Sequence, residues 1–163
     1  MGKRIFIADN RKHVIDMMEE RLSKSGYDVI STCEGSAIIK TLNINNVPNL
    51  IVLEAGIDGV DPLKVCRSIK SERRLRDVPF LLLKEANVDE QPFRELGIKE
   101  FITRPCDMTD VLERIRLLAT YGTSKARPQG KGTGWKIIGI LLLLACFVIL
   151  LLFVFLPGFT NPG

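Results

Sequence analysis

No two cysteines in this 163-residue chain are spaced to grip a metal. Cys33, Cys66, Cys106 and Cys146 are scattered, without a CxxC pair, and read as reduced, buried thiols of a cytosolic protein. Histidine is scarcer: His13 stands alone at the start of an expected helix, where a solvated surface side chain outweighs a catalytic one. The amino terminus offers only four apolar residues after Met-Gly-Lys-Arg, too few for the apolar core of a secretory leader. Position 6 is Phe rather than Ser or Thr, so Gly2 does not open a myristoylation motif. An excess of one charge is also missing from most of the chain, because residues 1–121 hold 19 basic and 19 acidic side chains. The net charge of +4 comes from Lys125, Arg127, Lys131 and Lys136 in the remainder. That distribution argues against a general nucleic-acid binder.

The hydrophobicity is concentrated too. Mean hydropathy is +0.15, high for a purely soluble protein, and most of the excess lies in Ile137–Leu156, a stretch with no charged residue. At 1.5 Å per residue such a helix spans about 30 Å, the hydrocarbon thickness of a bilayer. The chain therefore divides into residues 1–121 as a folded domain, 122–136 as a linker rich in Gly, Lys and polar residues, 137–156 as a transmembrane helix and 157–163 as a short tail. The linker reaches roughly 20 Å as a flexible coil. Its basic residues place it on the cytoplasmic side of an inner membrane, each adding about 1 kcal/mol of attraction to anionic lipid, and Trp135 suits an interfacial anchor. The expectation is a single-pass, carboxy-terminal anchor with the domain in the cytoplasm. The span has no GxxxG, which weakens an alternative in which it oligomerises and the domain merely decorates the membrane.

Within residues 1–121 short apolar runs alternate with segments of helical periodicity. Strands are expected at Arg4–Ala8, Asp28–Thr32, Asn49–Glu54, Val78–Leu83 and Glu100–Thr103. Helices are expected over His13–Ser25 and stopped by Gly26, from Ser36 as cap through Leu42, from Pro62 with Leu63, Val65, Cys66 and Ile69 inward, around Phe93–Leu96 before Gly97, and over Thr109–Thr120. The alternation predicts an α/β domain, a three-layer, doubly wound, five-stranded parallel sheet. In such sheets chemistry gathers beyond the carboxyl ends of the strands. There stand Asp9 and Asn10, then Glu54, Lys84 and Arg104.

Five segments carry a family resemblance: Arg4–Asn10, Pro48–Glu54, Gly59–Arg67, Val78–Leu83 and Phe101–Pro105. Over residues 3 to about 120 the chain resembles the receiver domain of two-component response regulators, with a flavodoxin-like fold. The resemblance implies an acidic pair after the first strand, a phosphoryl-accepting aspartate after the third, a hydroxyl residue after the fourth and Lys-Pro after the fifth. By position these correspond to Asp9 and Asn10, Glu54, Lys84 and Arg104-Pro105. It also makes Phe101 the switch aromatic and the bond before Pro105 a cis candidate. Among the acidic-pair, acceptor, hydroxyl and lysine positions only Asp9 is conventional.

These departures have physical consequences. The family reaction is in-line attack by a carboxylate with Mg²⁺ neutralising the developing charge. Glu54 is one methylene too long, and a misplacement near 1 Å costs on the order of a hundredfold. Asn10 removes an anionic metal ligand. Asp9 and Glu54 balance Lys84 and Arg104, so the expected pocket is internally neutral, with Mg²⁺ binding weak or absent and no other cofactor or metal. The expectation is that Lys84 takes over the cation's electrostatic role, that Glu54 pairs with Lys84 or Arg104, and that Glu85 repels an anionic phosphodonor. A degenerate receiver follows: no enzyme, but a module binding a sensor histidine kinase, chemosensory or other signalling protein. An active phosphoacceptor using Glu54 or Asp58 is the alternative. The arginine run near Arg73 reads first as a solvated helix end and second as a contact for acidic partners or lipid headgroups.

Overall fold

The computed structural model describes residues 2–42 and 47–122. Five strands run in parallel: β1 (Arg4–Ala8), β2 (Asp28–Thr32), β3 (Leu50–Glu54), β4 (Phe80–Lys84) and β5 (Glu100–Thr103). Their order in the sheet is β2-β1-β3-β4-β5. The helices are α1 (Lys12–Lys24), α2 (Ile38–Leu42, preceded by a 3-10 turn at Gly35–Ala37), α3 (Pro62–Ser71), α4 (Gln91–Glu95) and α5 (Met108–Tyr121).

Period-two alternation along the strands sorts the core into two layers. Phe6, Ile51, Leu53, Phe80 and Leu82 face α2, α3 and α4, against Ile38, Val65, Cys66, Ile69 and Phe93. Ile5, Ile7, Val52, Leu81 and Leu83 face α1 and α5, against Ile15, Met18, Leu22, Leu112 and Ile115. Every side chain of β3 is buried, as befits the middle of a sheet covered on both faces. Each of its apolar side chains contributes roughly 1.5–3 kcal/mol by leaving water.

Helix ends follow local chemistry. Asp61 accepts from the backbone N–H groups of Leu63 (2.9 Å) and Lys64 (3.3 Å), and Asp107 accepts from that of Thr109 (2.7 Å). Such caps are worth about 1 kcal/mol each. Gly26 (φ 83°) and Gly97 (φ 81°) take the left-handed conformation that closes α1 and α4. Ser36 is not the cap expected of it: it lies inside the 3-10 turn, and the residue at the cap position, Glu34, makes no side-chain capping bond. β4 starts at Phe80 rather than Val78, because the Val78 N–H is spent closing the turn after α3 on the Leu75 carbonyl (3.0 Å) and Pro79 has no N–H to donate. Cys106, expected to be buried, is exposed, since it lies in the segment between β5 and α5. Of the linker, span and tail expected at 122–163, only Gly122 falls within the described residues. Among those residues no helix is long and apolar enough to cross a membrane.

The neutral domain is electrically divided. The segments leaving the carboxyl ends of the strands (9–11, 33–34, 55–61, 85–90 and 104–107) hold Asp or Glu at eight positions against Arg11 and Arg104. Those entering the amino ends (2–3, 25–27, 47–49, 72–79 and 96–99) hold Lys3, Arg73, Arg74, Arg76 and Lys99 against Glu72 and Asp77.

Candidate functional site: a guanidinium-filled acidic pocket

Parallel register brings the ends of β1, β3 and β5 together. Asp9, the residue after β1, is completely buried, and Glu54, the last residue of β3, is nearly so. Between them lies the guanidinium of Arg104, the first residue past β5, with 8% of its side chain exposed. Its Nη2 reaches Asp9 Oδ2 at 2.6 Å and Glu54 Oε2 at 2.7 Å. Its backbone N–H donates to the Lys84 carbonyl at 2.8 Å, fixing where the side chain begins. The Nε of Arg104 is buried and has no acceptor among the described residues. The Arg104–Pro105 bond is cis.

A second guanidinium closes the cluster from the solvent side. Arg11 donates through Nε to Asp9 Oδ1 (3.1 Å) and through Nη2 to Asp9 Oδ2 (3.2 Å) and Glu54 Oε2 (3.4 Å). Its backbone N–H also donates to Asp9 Oδ1, at 2.9 Å. The other Glu54 oxygen accepts from the Gly56 N–H at 3.1 Å. Two carboxylates thus face two guanidinium groups, and each carboxylate oxygen already has a donor. Burial pushes the Glu54 carboxyl above its ordinary range, and Asp9 and Glu85 push the same way. The Gly56 N–H and Arg11 oppose them.

Lys84 is not part of this cluster. The expectation that its ammonium would replace the metal and pair with Glu54 does not match the geometry. Its Nζ donates to the Val88 carbonyl at 3.1 Å and lies 3.5 Å from Glu90 Oε1. The lysine folds over the segment between β4 and α4, where carbonyls and a carboxylate solvate it. Asn10 is exposed, and its amide reaches the Gly56 carbonyl (3.4 Å) and Asp58 (3.5 Å) across the mouth of the pocket. Asp58 and Glu85 are exposed. Phe101 is half-buried against the α3–α4 layer, with the Arg94 guanidinium 4.7 Å above its ring. Arg11 is the residue the sequence reading passed over. Its signal was its place directly after the acidic position, where a long cation can fold back on the carboxylate two residues earlier.

Beside the cluster a cavity of about 320 Å³ lies between α1 and α5, with Val14, Met18 and Val111 in its wall and Arg11, Arg104 and Cys106 also lining it. Among the described residues no group of three or more His, Cys, Asp or Glu side chains is placed to hold a metal.

A parallel 2-1-3-4-5 sheet with an acidic residue after β1 and a carboxylate ending β3 defines a class, the doubly wound flavodoxin-like domains that keep their site at the topological switch point. Within that class, the profile of the response regulator receiver domain matches residues 5–116, and the chain belongs to that family. It is 26% identical over 118 residues to the alkaline phosphatase synthesis transcriptional regulatory protein PhoP of Bacillus subtilis, covering 72% of this chain and 49% of that protein. The chain thus matches about half the length of that relative. Among solved structures it is similar to the signal receiver domain of a signal transduction histidine kinase from Syntrophus aciditrophicus (TM-score 0.64, 22% identity, 73% of this chain and 91% of that one). It is also similar to the chemotaxis response regulator CheY4 of Vibrio cholerae (TM-score 0.62, 14% identity, 71% and 98%). The chain carries a response-regulator receiver domain of two-component signalling, a kind of domain that interacts with histidine kinases and other proteins.

Proposed function

We propose that this receiver works as a protein-interaction module without phosphoryl transfer, tethered to the inner membrane by its carboxy-terminal apolar run. The observation that carries the reading is the Arg104 bridge, 2.6 Å from Asp9 and 2.7 Å from Glu54. A divalent cation needs several anionic oxygens free to turn toward it. Here every oxygen of both carboxylates is engaged by a guanidinium or a backbone N–H, two positive charges already balance two negative ones, and position 10 supplies a neutral amide. The donor set does not fit Mg²⁺. Glu54 holds one of its oxygens against Arg104, which occupies the family's lysine position. That supports a domain fixed in one arrangement rather than switched. The reading makes the chain a non-enzyme whose output is binding to a sensor kinase, a chemosensory protein or another signalling protein. The uncharged stretch Ile137–Leu156 and its basic flank support the tether.

Incubation with Mg²⁺ and a small acyl-phosphate donor, followed by intact mass, tests this. The natural domain is expected to gain no phosphoryl mass. A variant carrying Asn10→Asp, Glu54→Asp, Lys84→Thr and Arg104→Lys together is expected to gain one. An adduct on natural Glu54 or Asp58 would overturn the reading in favour of a working phosphorelay receiver.

A further inference from the structure

The charge division of the domain coincides with two other features. Among the described residues, the exposed large hydrophobic side chains are Val47 and Tyr121. Val47 belongs to the segment entering the amino end of β3, and Tyr121 ends α5. α5 brings its last turns to the same pole, since Arg116 donates to the hydroxyl of Ser25, which closes α1, at 3.0 Å. The chain therefore leaves the folded domain at Gly122 on the pole where the excess positive charge lies.

The arginines there are held on a built platform. The turn after α3 is closed by Leu75 N–H to the Glu72 carbonyl (2.9 Å) and Val78 N–H to the Leu75 carbonyl (3.0 Å). Leu75 is buried in the core, while Arg73, Arg74 and Arg76 are exposed. Lys70 is spent inward, donating to the carbonyls of Arg76 (2.8 Å) and Val78 (3.1 Å). One leucine pins the turn, the guanidinium groups of Arg73 and Arg74 are exposed, and that of Arg76 lies 3.5 Å from Asp77.

We infer that this amino-terminal pole is a docking face for anionic lipid headgroups, which presents the acidic pole and the Arg104 pocket to the cytoplasm. The inference rests on the membrane-tethered reading above. Three observations choose lipid over an acidic protein. The arginines lie at the pole where α5 ends, and the sequence beyond α5 leads to Ile137–Leu156. A tyrosine and a valine stand exposed at the same pole, and an amphipathic ring at headgroup level is a feature of membrane interfaces. A coil the length of 122–136 would reach roughly 20 Å, short enough to hold the pole close to the bilayer.

The full chain is reconstituted into phosphatidylcholine vesicles with and without phosphatidylglycerol. A donor dye is placed in turn at Glu72→Cys and at native Cys106 on the opposite pole, with the other reactive thiols replaced by serine, and energy transfer to an acceptor lipid is read. Transfer from position 72 should rise in anionic vesicles and fall back in about 1 M salt, where screening is nearly complete, while transfer from Cys106 stays unchanged. Each of Arg73→Gln and Arg74→Gln should lower the docked-to-undocked ratio about fivefold. Failure to float with neutral vesicles would overturn the tether, and this inference with it. Flotation without charge-dependent transfer at position 72, or an equal rise at both positions, would overturn the docking face alone.

Discussion

Arg104→Met isolates the ion cluster from the rest of the fold. The methionine fills much of the arginine's volume but leaves Asp9, fully buried, and Glu54, nearly so, without the cation between them. Removing one partner of a buried ion pair typically costs 3–5 kcal/mol, because the charge left behind has neither water nor counter-ion. Arg11 still reaches both carboxylates, but from a side chain 39% exposed, where screening weakens it. The expected loss at neutral pH is therefore about 3 kcal/mol, the lower end of that range. With about 2.1 cal/mol/K per residue, a domain of this size has an unfolding entropy near 0.25 kcal/mol/K, so the melting temperature should fall by about 12 °C. Urea unfolding of residues 1–122 at neutral and acid pH is the assay. The loss should shrink on acidification, since protonating Glu54 removes one of the stranded charges. A loss under about 1 kcal/mol, or one independent of pH, would show that Arg104 does not neutralise the pocket.

Other consequences can be checked with the same material. Because the folded-state pKa of Glu54 is raised above its ordinary 4.5, its contribution to stability is fully present below that value and is lost as the pH rises through the folded one. Natural protein should therefore lose stability relative to Glu54→Gln on going from acid to neutral pH, and urea midpoints showing the opposite slope would contradict this. Burial lifts the Cys66 thiol to about 12, so an alkylating agent at mildly alkaline pH should leave Cys66 intact in the folded domain while exposed Cys106 reacts, as peptide mass mapping would reveal. Lys70→Met removes the donor to the Arg76 and Val78 carbonyls. It should cost about 1–2 kcal/mol and speed hydrogen exchange over 72–78, and unchanged exchange there would show that the lysine does not hold the turn.

What was legible in the sequence was what periodicity and strand ends carry. The strands β1, β3 and β4 could be placed because each carries a short apolar run, β2 and β5 by their place in the alternation with helices, and the last residue of the central strand marked the site. Side-chain direction was not legible. Lys84 and Arg104 both stand at the carboxyl end of a strand and both carry a positive charge, yet one turns toward the carbonyls before α4 and the other crosses to Asp9 and Glu54. Charge counting treats them alike. The difference lies in the backbone at Arg104, whose N–H is anchored on the Lys84 carbonyl. Arg11 escaped for the converse reason: its role depends on folding back across the start of α1, which no strand pattern encodes. Ser36 shows the limit of capping rules, since a serine at the right spacing was bypassed when the chain entered α2 through a 3-10 turn.

The bridging guanidinium also has a bearing on how such a pocket can change over generations. One cation serving two acids makes the three positions mutually dependent, so their substitutions are epistatic. A lysine at position 104 offers a strongly hydrated point charge on a shorter side chain in place of the guanidinium fork, whose Nη2 alone reaches both carboxylates. An aspartate at position 10 adds a third negative charge to a pocket already balanced, and an aspartate at position 54 draws the carboxylate back from the fork. Each single step toward a phosphate-accepting arrangement therefore passes through a less stable intermediate. The arrangement works as a ratchet: descendants of this sequence are more easily tuned around the bridge than returned across it.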